Sequence, residues 1–364
     1  MAKFFRLPEH LSDLPPPAAG RLESARRAVL DWLEAHDYRL CLPSLAEYVE
    51  TLGADDESLL LDIVKMTDTL SGRTMGIRAD HTPQIARCDA ARGGEEPRRL
   101  CYCGPALRTR PPQPWKRREI MQIGAEIFNL PPPAADWEII RIAAGALSAA
   151  GIDDIAIDIG HVGIVRKLLG EGLDAADYAS LCRHWARCDF SVLREKTPAA
   201  EALIALSDAG EDMDAIQKAV SAAGAEAQDM LGELSEVLAM LRAEELDVKI
   251  NFNEIGGYGY HTGVAFCIYG RDFVAARGGR YAREGFRPAV GFSMDLREIV
   301  ENLPPLEPTS PAVSCPVHHE KSWFAAVEEL RRQNRRLCFV PADENPPAPA
   351  LYKTADGKWK VRES

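Results

Sequence analysis

The feature that most limits the possible folds is a pair of long β-type segments joined by a basic, proline-rich loop. It reads CYCGPALRTRPPQPWKRREIMQIGAEIF and covers residues 101–128. Two strands that follow each other through so short a loop pair antiparallel, because a parallel return needs a crossover connection of about a dozen residues or more. The sequence therefore predicts a fold built on an antiparallel sheet.

The loop of this hairpin carries five cations, namely Arg108, Arg110, Lys116, Arg117 and Arg118. Guanidinium groups bind phosphate and carboxylate oxygens in a bidentate fork. Arg108, Arg110 and Arg118 are therefore candidate contacts for a small phosphorylated ligand, another anion or an acidic partner surface. For any one of them, a solvated basic loop is the alternative interpretation.

Segments before and after the hairpin add helices and further strands. RLESARRAVLDWLEAHDY (residues 21–38) has helical apolar spacing, and LAEYVETL (residues 45–52) predicts a second helix. An alanine-rich, acidic block over about 162–245 predicts a helical insertion, and the linker PPLEPTSP precedes a strand, a helix and a strand. We expect an α+β fold with a core over 1–305 and a small C-terminal α/β domain over 306–364.

Charge and cysteine content argue against several classes of function. A formal net charge of −12 disfavours nucleic-acid binding, because that affinity comes largely from neutralising phosphates. The nine cysteines are scattered and no two pairs have zinc spacing, so we expect no metal. No apolar run reaches the roughly 18 residues of a membrane span, and the N-terminus lacks a signal-peptide core. We therefore expect a cytoplasmic protein without a membrane partner.

Several short segments, taken in order, resemble the core of histidyl-tRNA synthetase, a class II aminoacyl-tRNA synthetase. YRLCLPSLAEY resembles the first class motif, GPALRTRP with MQIGAEIF the second, and ARGGRY with PAVGFSMDL the third. MGIRADHTPQIAR and the histidine-specific segment YGYHTGVAF add to the resemblance, which runs from about Leu7 to Ile299. It implies an antiparallel sheet flanked by helices, with a helical insertion.

The same resemblance reveals three departures at the ATP site. In the family, an arginine of the second motif holds the α-phosphate and an acid two residues later binds adenine. Arg108 is present here, but the acid's position holds Arg110. Glu298 replaces the arginine of the third motif, and Gly256 replaces the arginine that assists histidine activation. Losing one such electrostatic contributor typically costs about 10²-fold or more in rate, so we predict that adenylation is absent.

The amino-acid site of the family has more counterparts in this chain. By resemblance, the histidine-binding residues are Asp80, Thr82, Gln122, Glu126, Tyr260 and Tyr281. Gln122 and Glu126 are four residues apart in a strand and face the same side, which permits a shared pocket independently of the resemblance. His261 stands where the family has a second wall tyrosine.

Two residues of the RADHT segment have simpler alternative roles. Thr82 is expected to be the N-cap of a helix with Pro83 at its first position. Asp80 is then a ligand contact or only a cap for the same helix. For His81, a local hydrogen-bonding role is favoured over a catalytic one, because no motif places a nucleophile near it.

A synthetase-like chain without its ATP-binding residues resembles a second family more closely, the ATP phosphoribosyltransferase regulatory subunits of histidine biosynthesis. RLPEHLSDLPP, DTLSGRTMGIRADHTPQIAR and LCYCGPALRTRP carry this resemblance. It implies a non-catalytic subunit without a cofactor, which makes the short-form catalytic subunit active and sensitive to feedback inhibition by L-histidine. The family typically forms a hetero-octamer. The segment after the linker is too short for an anticodon-binding domain, which further disfavours tRNA charging.

Two other functions stay open at this point. One is a truncated histidyl-tRNA synthetase paralogue that activates histidine or aminoacylates a non-tRNA acceptor. The other is a stand-alone amino-acid sensor without an enzyme partner. Histidine-dependent ATP–pyrophosphate exchange separates the first from a regulatory subunit, and complex formation with the catalytic chain separates the second.

Overall fold

The structure, a computed structural model, describes residues 6–52, 57–170, 175–255, 261–283, 285–304, 311–342 and 346–363. The chain divides into two compact units, Met1–Leu303 and Pro304–Ser364, each with a hydrophobic core of its own. Within the described residues, no helix is both long enough and apolar enough to cross a membrane.

The strands of the first unit are, in chain order, β1 (Arg39–Leu40), β2 (Ala46–Tyr48), β3 (Val64–Thr67), β4 (Thr74–Ile77), β5 (Arg98–Leu107), β6 (Glu119–Phe128), β7 (Ala156–His161), β8 (Val248–Ile250), β9 (His261–Tyr269), β10 (Val274–Tyr281) and β11 (Ala289–Asp295). Its helices are α1 (Ala18–Ala35), α2 (Val49–Leu52), α3 (Glu57–Asp62), α4 (Thr82–Arg92), α5 (Ala134–Ala150), α6 (Val162–Leu169), α7 (Ala175–Ala186), α8 (Phe190–Lys196), α9 (Ala200–Asp208), α10 (Met213–Ser221), α11 (Ala225–Arg242), α12 (Phe252–Ile255) and α13 (Leu296–Asn302).

Eight of these strands form one mixed sheet in the order β1-β5-β6-β11-β10-β9-β7-β8. Only the pairs at its two edges, β1 with β5 and β7 with β8, are parallel. The predicted hairpin is β5 and β6, which stay in register from Arg98 opposite Phe128 to Leu107 opposite Glu119. The expected α+β fold is thereby confirmed, with a parallel strand added at each edge of an antiparallel sheet.

One face of the sheet is closed by helices. Ile123, Ala125 and Ile127 of β6 point to this side and belong to a large core that includes residues of α1 and α5. The two helices pack closely because α5 has a glycine at their contact. A Cβ on Gly145 would lie 2.1 Å from the Trp32 ring of α1. Alternation along β6 therefore leaves Gln122 and Glu126 for the opposite face.

Helix α4 covers part of that opposite face. Ile85 and Ala86 pack on Leu100, Tyr102 and Phe128 in a small separate core. The helix begins at Thr82, so the prediction of Thr82 as N-cap is wrong by one residue, and His81 occupies the cap position. The first turn of α4 consequently lies beside the polar positions of β6.

The segment 45–52, predicted to be a helix, is instead a strand followed by one helical turn. β2 pairs antiparallel with β4, with Ala46 opposite Ile77 and Tyr48 opposite Met75. β3 pairs with the other side of β4 and completes a three-stranded sheet. Strand pairing outweighs the helical spacing here, because local propensity is a weak preference that tertiary context overrides.

The predicted helical insertion is present as α6 to α11, which lie between β7 and β8 in the chain. Its apolar positions, among them Trp185, Leu203 and Leu234, are fully buried and join the large core of the first unit. The insertion is therefore packed as part of that unit.

The second unit contains β12 (Val313–Pro316), α14 (Lys321–Arg332), β13 (Leu337–Val340), β14 (Ala350–Lys353) and β15 (Trp359–Arg362). β12 and β13 are parallel, with α14 between them in the chain, as the predicted strand–helix–strand order requires. β14 and β15 form an additional antiparallel pair that the polar composition of the C-terminus did not indicate. Trp323 and Leu330 of α14 pack on Val313 and Cys315.

Candidate functional site

Polar side chains from three places in the chain meet on the open face of the sheet, between α4 and β6. His81, Gln122, Glu126 and Tyr281 are each at most 3% exposed. Burying a polar group costs free energy unless it is hydrogen-bonded. The hydrogen-bond partners of these side chains therefore show how the site is organised.

The first half of the site is organised by Gln122. Its amide oxygen accepts the backbone N–H of His81 at 3.1 Å and lies 2.8 Å from Nδ1 of the same residue. Its amide nitrogen donates to Asp80 Oδ1 at 3.2 Å. These partners orient the amide, and the His81 ring therefore carries its proton on Nδ1. Burial, with the nearby charge of Arg78, lowers the pKa of His81 to about 4, so the ring is neutral at physiological pH.

The second half of the site is organised by Glu126. One carboxyl oxygen accepts the Thr82 hydroxyl at 2.9 Å, and the other accepts the Tyr281 hydroxyl at 3.1 Å. Burial raises the pKa of Glu126 to about 8, and the two hydroxyl donors offset only part of that effect. The carboxyl is therefore largely protonated at neutral pH, which lets it donate as well as accept.

The two halves are joined through the start of α4. The backbone N–H of Thr82 donates to Asp80 Oδ1 at 2.8 Å, while its hydroxyl binds Glu126. Asp80 thus acts at the start of the helix, and the same oxygen also accepts from Gln122, while its role as a ligand contact stays a prediction. The result is one continuous network from His81 to Tyr281.

Two glycines make room for this network. A Cβ on Gly291 would lie 1.8 Å from Glu126 Oε2, since these residues are directly opposite in the β6–β11 register. A Cβ on Gly104 would lie 3.1 Å from Nε2 of His81. The Glu126 side chain fits beside Gly291, and the His81 ring beside Gly104, because a glycine has no side chain of its own to fill that space.

The wall beside Tyr281 includes a histidine. His261 is opposite Tyr281 in the β9–β10 pair and is 3% exposed. Burial lowers the pKa of His261 to about 3, so its ring is neutral. It lies where the resemblance expected an aromatic wall.

The loop end of the same hairpin has a different character. Lys116 forms an ion pair with Glu298 of α13, and Arg117 forms one with Glu301. Arg297 turns to the N-terminal segment, where it donates to the Ser12 carbonyl at 3.0 Å, and its guanidinium lies 3.5 Å from Glu119. Glu298, which the sequence resemblance aligned with an ATP-binding arginine, is thus the partner of a loop lysine.

A buried carboxylate fixes α13 to β6 beside these pairs. Asp295 Oδ1 accepts the backbone N–H of Arg297 at 3.0 Å, as an N-cap, and that of Met121 at 3.1 Å. Burial raises the pKa of Asp295 to about 6, against these two hydrogen bonds. Helix α13 is therefore held to the hairpin by hydrogen bonds from backbone N–H groups as well as by the two ion pairs.

The three arginines predicted for an anion or a partner lie at this loop end. Arg118 donates from Nε to the Arg108 carbonyl at 2.9 Å, which closes the base of the loop. Among the described residues, neither Arg108 nor Arg110 has a carboxylate partner, and Arg110 is exposed. Their charges are therefore available to an incoming anionic surface.

Comparison with known proteins places this geometry in a family. A family model described as histidyl-tRNA synthetase matches residues 10–299. The fold is similar to a solved ATP phosphoribosyltransferase regulatory subunit/histidyl-tRNA synthetase from Bacillus halodurans C, with a TM-score of 0.79 over 95% of each chain at 24% identity. It is also similar to a histidyl-tRNA synthetase from Nostoc sp. PCC 7120, with a TM-score of 0.77 over 97% of this chain and 92% of that one at 15% identity.

Curated relatives narrow this assignment. The ATP phosphoribosyltransferase regulatory subunit of Verminephrobacter eiseniae (strain EF01-2) is 37% identical over 93% of either chain. That of Bordetella pertussis is 37% identical over 98% of either chain. This chain belongs to the family of ATP phosphoribosyltransferase regulatory subunits. The family resemblance drawn from its motifs is thereby confirmed.

In this regulatory-subunit chain, the residues expected to bind histidine fall into two groups. Those brought together in the network are Asp80, Thr82, Gln122, Glu126 and Tyr281. Tyr260 and Gly256 lie outside the described residues. Their role as histidine contacts stays a prediction. The network also includes the His81 ring, which the sequence signalled only through its position between Asp80 and Thr82.

Proposed function

We propose that this chain is the non-catalytic regulatory subunit of ATP phosphoribosyltransferase, which the short-form catalytic subunit requires for activity in the first step of histidine biosynthesis. L-Histidine is the feedback effector and binds the Asp80–Gln122–Glu126 pocket. The partner carries out the chemistry, and this chain contributes no catalytic residue, cofactor or metal. The two chains form a hetero-octamer in the cytoplasm, a compartment that suits a chain whose nine cysteines are all free.

One contrast carries the proposal. Five of the six residues expected to hold the amino acid join one hydrogen-bonded network, whereas Glu298, aligned by resemblance with the family's ATP-binding arginine, forms an ion pair with Lys116. A carboxylate at that position repels nucleotide phosphates, and the loop lysine that could bind them is already neutralised. The geometry supports amino-acid binding without amino-acid activation.

Regulation then follows from differential binding. Histidine changes the activity of the complex only if it binds one state of the complex more tightly than another, and a coupling of about 1–3 kcal/mol is typical. The network lies between the first turn of α4 and β6, so a ligand bound there would act on the packing of α4.

The test measures phosphoribosyltransferase activity of the short-form catalytic subunit with and without this chain, across a histidine titration. The double variant Gln122→Ala with Glu126→Ala should preserve stimulation and lose the histidine response. Its matched control is Lys116→Ala with Glu298→Ala at the other end of the same hairpin, which should leave that response unchanged. A histidine response that survives in the pocket variant would move the effector site to the subunit interface.

Two further measurements separate the rival functions. Histidine-dependent ATP–pyrophosphate exchange by the isolated chain would instead support a truncated synthetase paralogue. Sedimentation of a mixture with the catalytic chain that finds no complex would support a stand-alone sensor. The regulatory proposal expects no exchange and a stable complex.

A further inference from the structure

The His81 imidazole lies inside the polar network that the proposed function assigns to histidine binding. Its ring stacks on Tyr102, with centroids 4.8 Å apart and an interplanar angle of 9°. Its Nδ1 lies 2.8 Å from the amide oxygen of Gln122, and its Nε2 is directed toward the bare backbone of Gly104. An aromatic wall, an amide acceptor and a glycine floor together make a site that fits an imidazole.

We propose that His81 is an internal ligand, which occupies an imidazole subsite of the pocket and competes there with free histidine. The inference rests on the proposed function only for the identity of that competitor. The internal contact itself is given by the geometry of His81, Gln122 and Tyr102.

The hydrogen-bonding capacity of Gln122 explains why the two ligands compete. Its amide oxygen has two lone pairs, and His81 uses both, one through its backbone N–H and one through its ring. A free amino acid finds this acceptor available only after the His81 ring rotates away. Asp80 is less restricted, because the hydrogen bonds it receives from described residues both go to Oδ1, which leaves Oδ2 for an α-ammonium group.

The expected size of the effect follows from the occupancy of the subsite. When a binding-competent state is populated in one molecule out of ten, the apparent affinity falls about tenfold. The His81 ring is almost completely buried, so its inward position dominates. Removing the ring should therefore strengthen histidine binding by about tenfold or more.

The experiment compares His81→Ala and His81→Asn with the wild-type chain at pH 8, by calorimetric titration of L-histidine and by thermal unfolding in free imidazole. Asparagine keeps a polar side chain at this position but, like alanine, vacates the ring stack on Tyr102. We expect both variants to bind L-histidine about tenfold more tightly. We also expect free imidazole to raise their Tm without raising that of the wild type.

Two control variants separate the internal ligand from a general loosening of α4. His81→Phe keeps a ring on Tyr102 and should gain nothing from either ligand. Ile85→Ala opens an apolar cavity under the same helix, next to the same Tyr102, without touching Gln122. It should be stabilised by benzene, which fits dry apolar cavities, and not by imidazole.

The outcomes distinguish this inference from the proposed function. Weaker or unchanged histidine binding by His81→Ala and His81→Asn, without imidazole stabilisation, would overturn the internal-ligand role. Imidazole stabilisation of both variants without histidine binding by any chain would uphold the subsite and refute histidine as the effector of this pocket.

Discussion

The two ends of the β5–β6 hairpin place polar groups in opposite environments. At the pocket end, Gln122 and Glu126 are buried, and each is held by hydrogen bonds to α4. At the loop end, Lys116 and Arg117 pair with Glu298 and Glu301 in partial contact with solvent. The same two strands therefore support a hydrogen-bonded network with buried members at one end and a pair of ion pairs at the other.

The difference indicates which end is sensitive to change. A buried polar network is strongly destabilised when one member is disturbed, because its partners lose hydrogen bonds that water cannot replace. Exposed ion pairs are each worth about 0–1 kcal/mol and are screened by salt. Substitutions should accordingly have large effects at the pocket end and small effects at the loop end.

The largest effect is expected for Gly291→Ala. Its new Cβ would overlap Glu126 Oε2 and also approach the Ala125 carbonyl at 2.8 Å, so strand and carboxyl must both shift. We expect a loss of about 3 kcal/mol in the free energy of unfolding, measured by urea denaturation. The control is Gly232→Ala in α11, where a Cβ meets nothing within 4 Å and helix propensity favours alanine. If both variants had the same urea denaturation midpoint, the steric overlap expected at Gly291 would be contradicted.

The next effect is a pH dependence that belongs to Glu126. Because its pKa is raised from 4.5 to about 8, the folded chain holds a proton that the unfolded chain releases, so stability falls as pH rises between these values. Glu126→Gln removes this dependence. Relative to wild type, the variant should gain about 2.5 kcal/mol between pH 5 and pH 7, measured by urea unfolding at each pH. A constant difference between the two chains would mean that the carboxyl is already ionised at pH 5.

A third effect concerns Arg110 at the loop end, which has no carboxylate partner among the described residues. If Arg110 faces an acidic surface of the short-form catalytic subunit as proposed, Arg110→Glu should weaken the complex about tenfold, because the substitution places a like charge against that surface. The matched control is Arg187→Glu, an exposed arginine between α7 and α8 of the same unit that likewise has no carboxylate partner among the described residues. Sedimentation velocity at two salt concentrations provides the measurement. Equal weakening by both substitutions would indicate a general charge effect.

The smallest effect is expected for the ion pairs of the loop end. A double-mutant cycle of Lys116→Ala and Glu298→Ala should give a coupling of about 0.5 kcal/mol, as found for partly exposed pairs. It should vanish in 1 M salt, where the screening length is about 3 Å. A coupling above about 2 kcal/mol, or one that salt does not change, would show that the loop end is as desolvated as the pocket.

The sequence was informative wherever one local rule governs the geometry. The antiparallel hairpin followed from two β-type segments and a short loop. The common direction of Gln122 and Glu126 followed from the two-residue period of a strand, and their hydrogen bonds to the α4 segment are consistent with it. Family resemblance added Asp80, Thr82 and Tyr281, which no spacing within the chain connects to β6.

Contacts between distant segments were beyond such rules. Lys116 and Glu298 are 182 positions apart, and nothing in the composition of either segment links them. The strand at Ala46–Tyr48 depends on a partner, β4, that lies almost thirty residues later. The inward His81 ring depends on space above Gly104, which only the folded sheet defines. In each case the deciding partner is supplied by tertiary structure.

The glycines beneath the network have an evolutionary consequence. At Gly104, Gly124 and Gly291, an added Cβ would meet an atom of the surrounding fold at 3.0 Å, 2.2 Å and 1.8 Å. At Gly124 and Gly291, where the contacts include backbone oxygens, folding alone therefore disfavours any side chain, whether or not a ligand is bound nearby. New binding functions at this site are therefore expected to arise by exchange of the polar residues around these glycines, because the fold holds the glycines themselves in place.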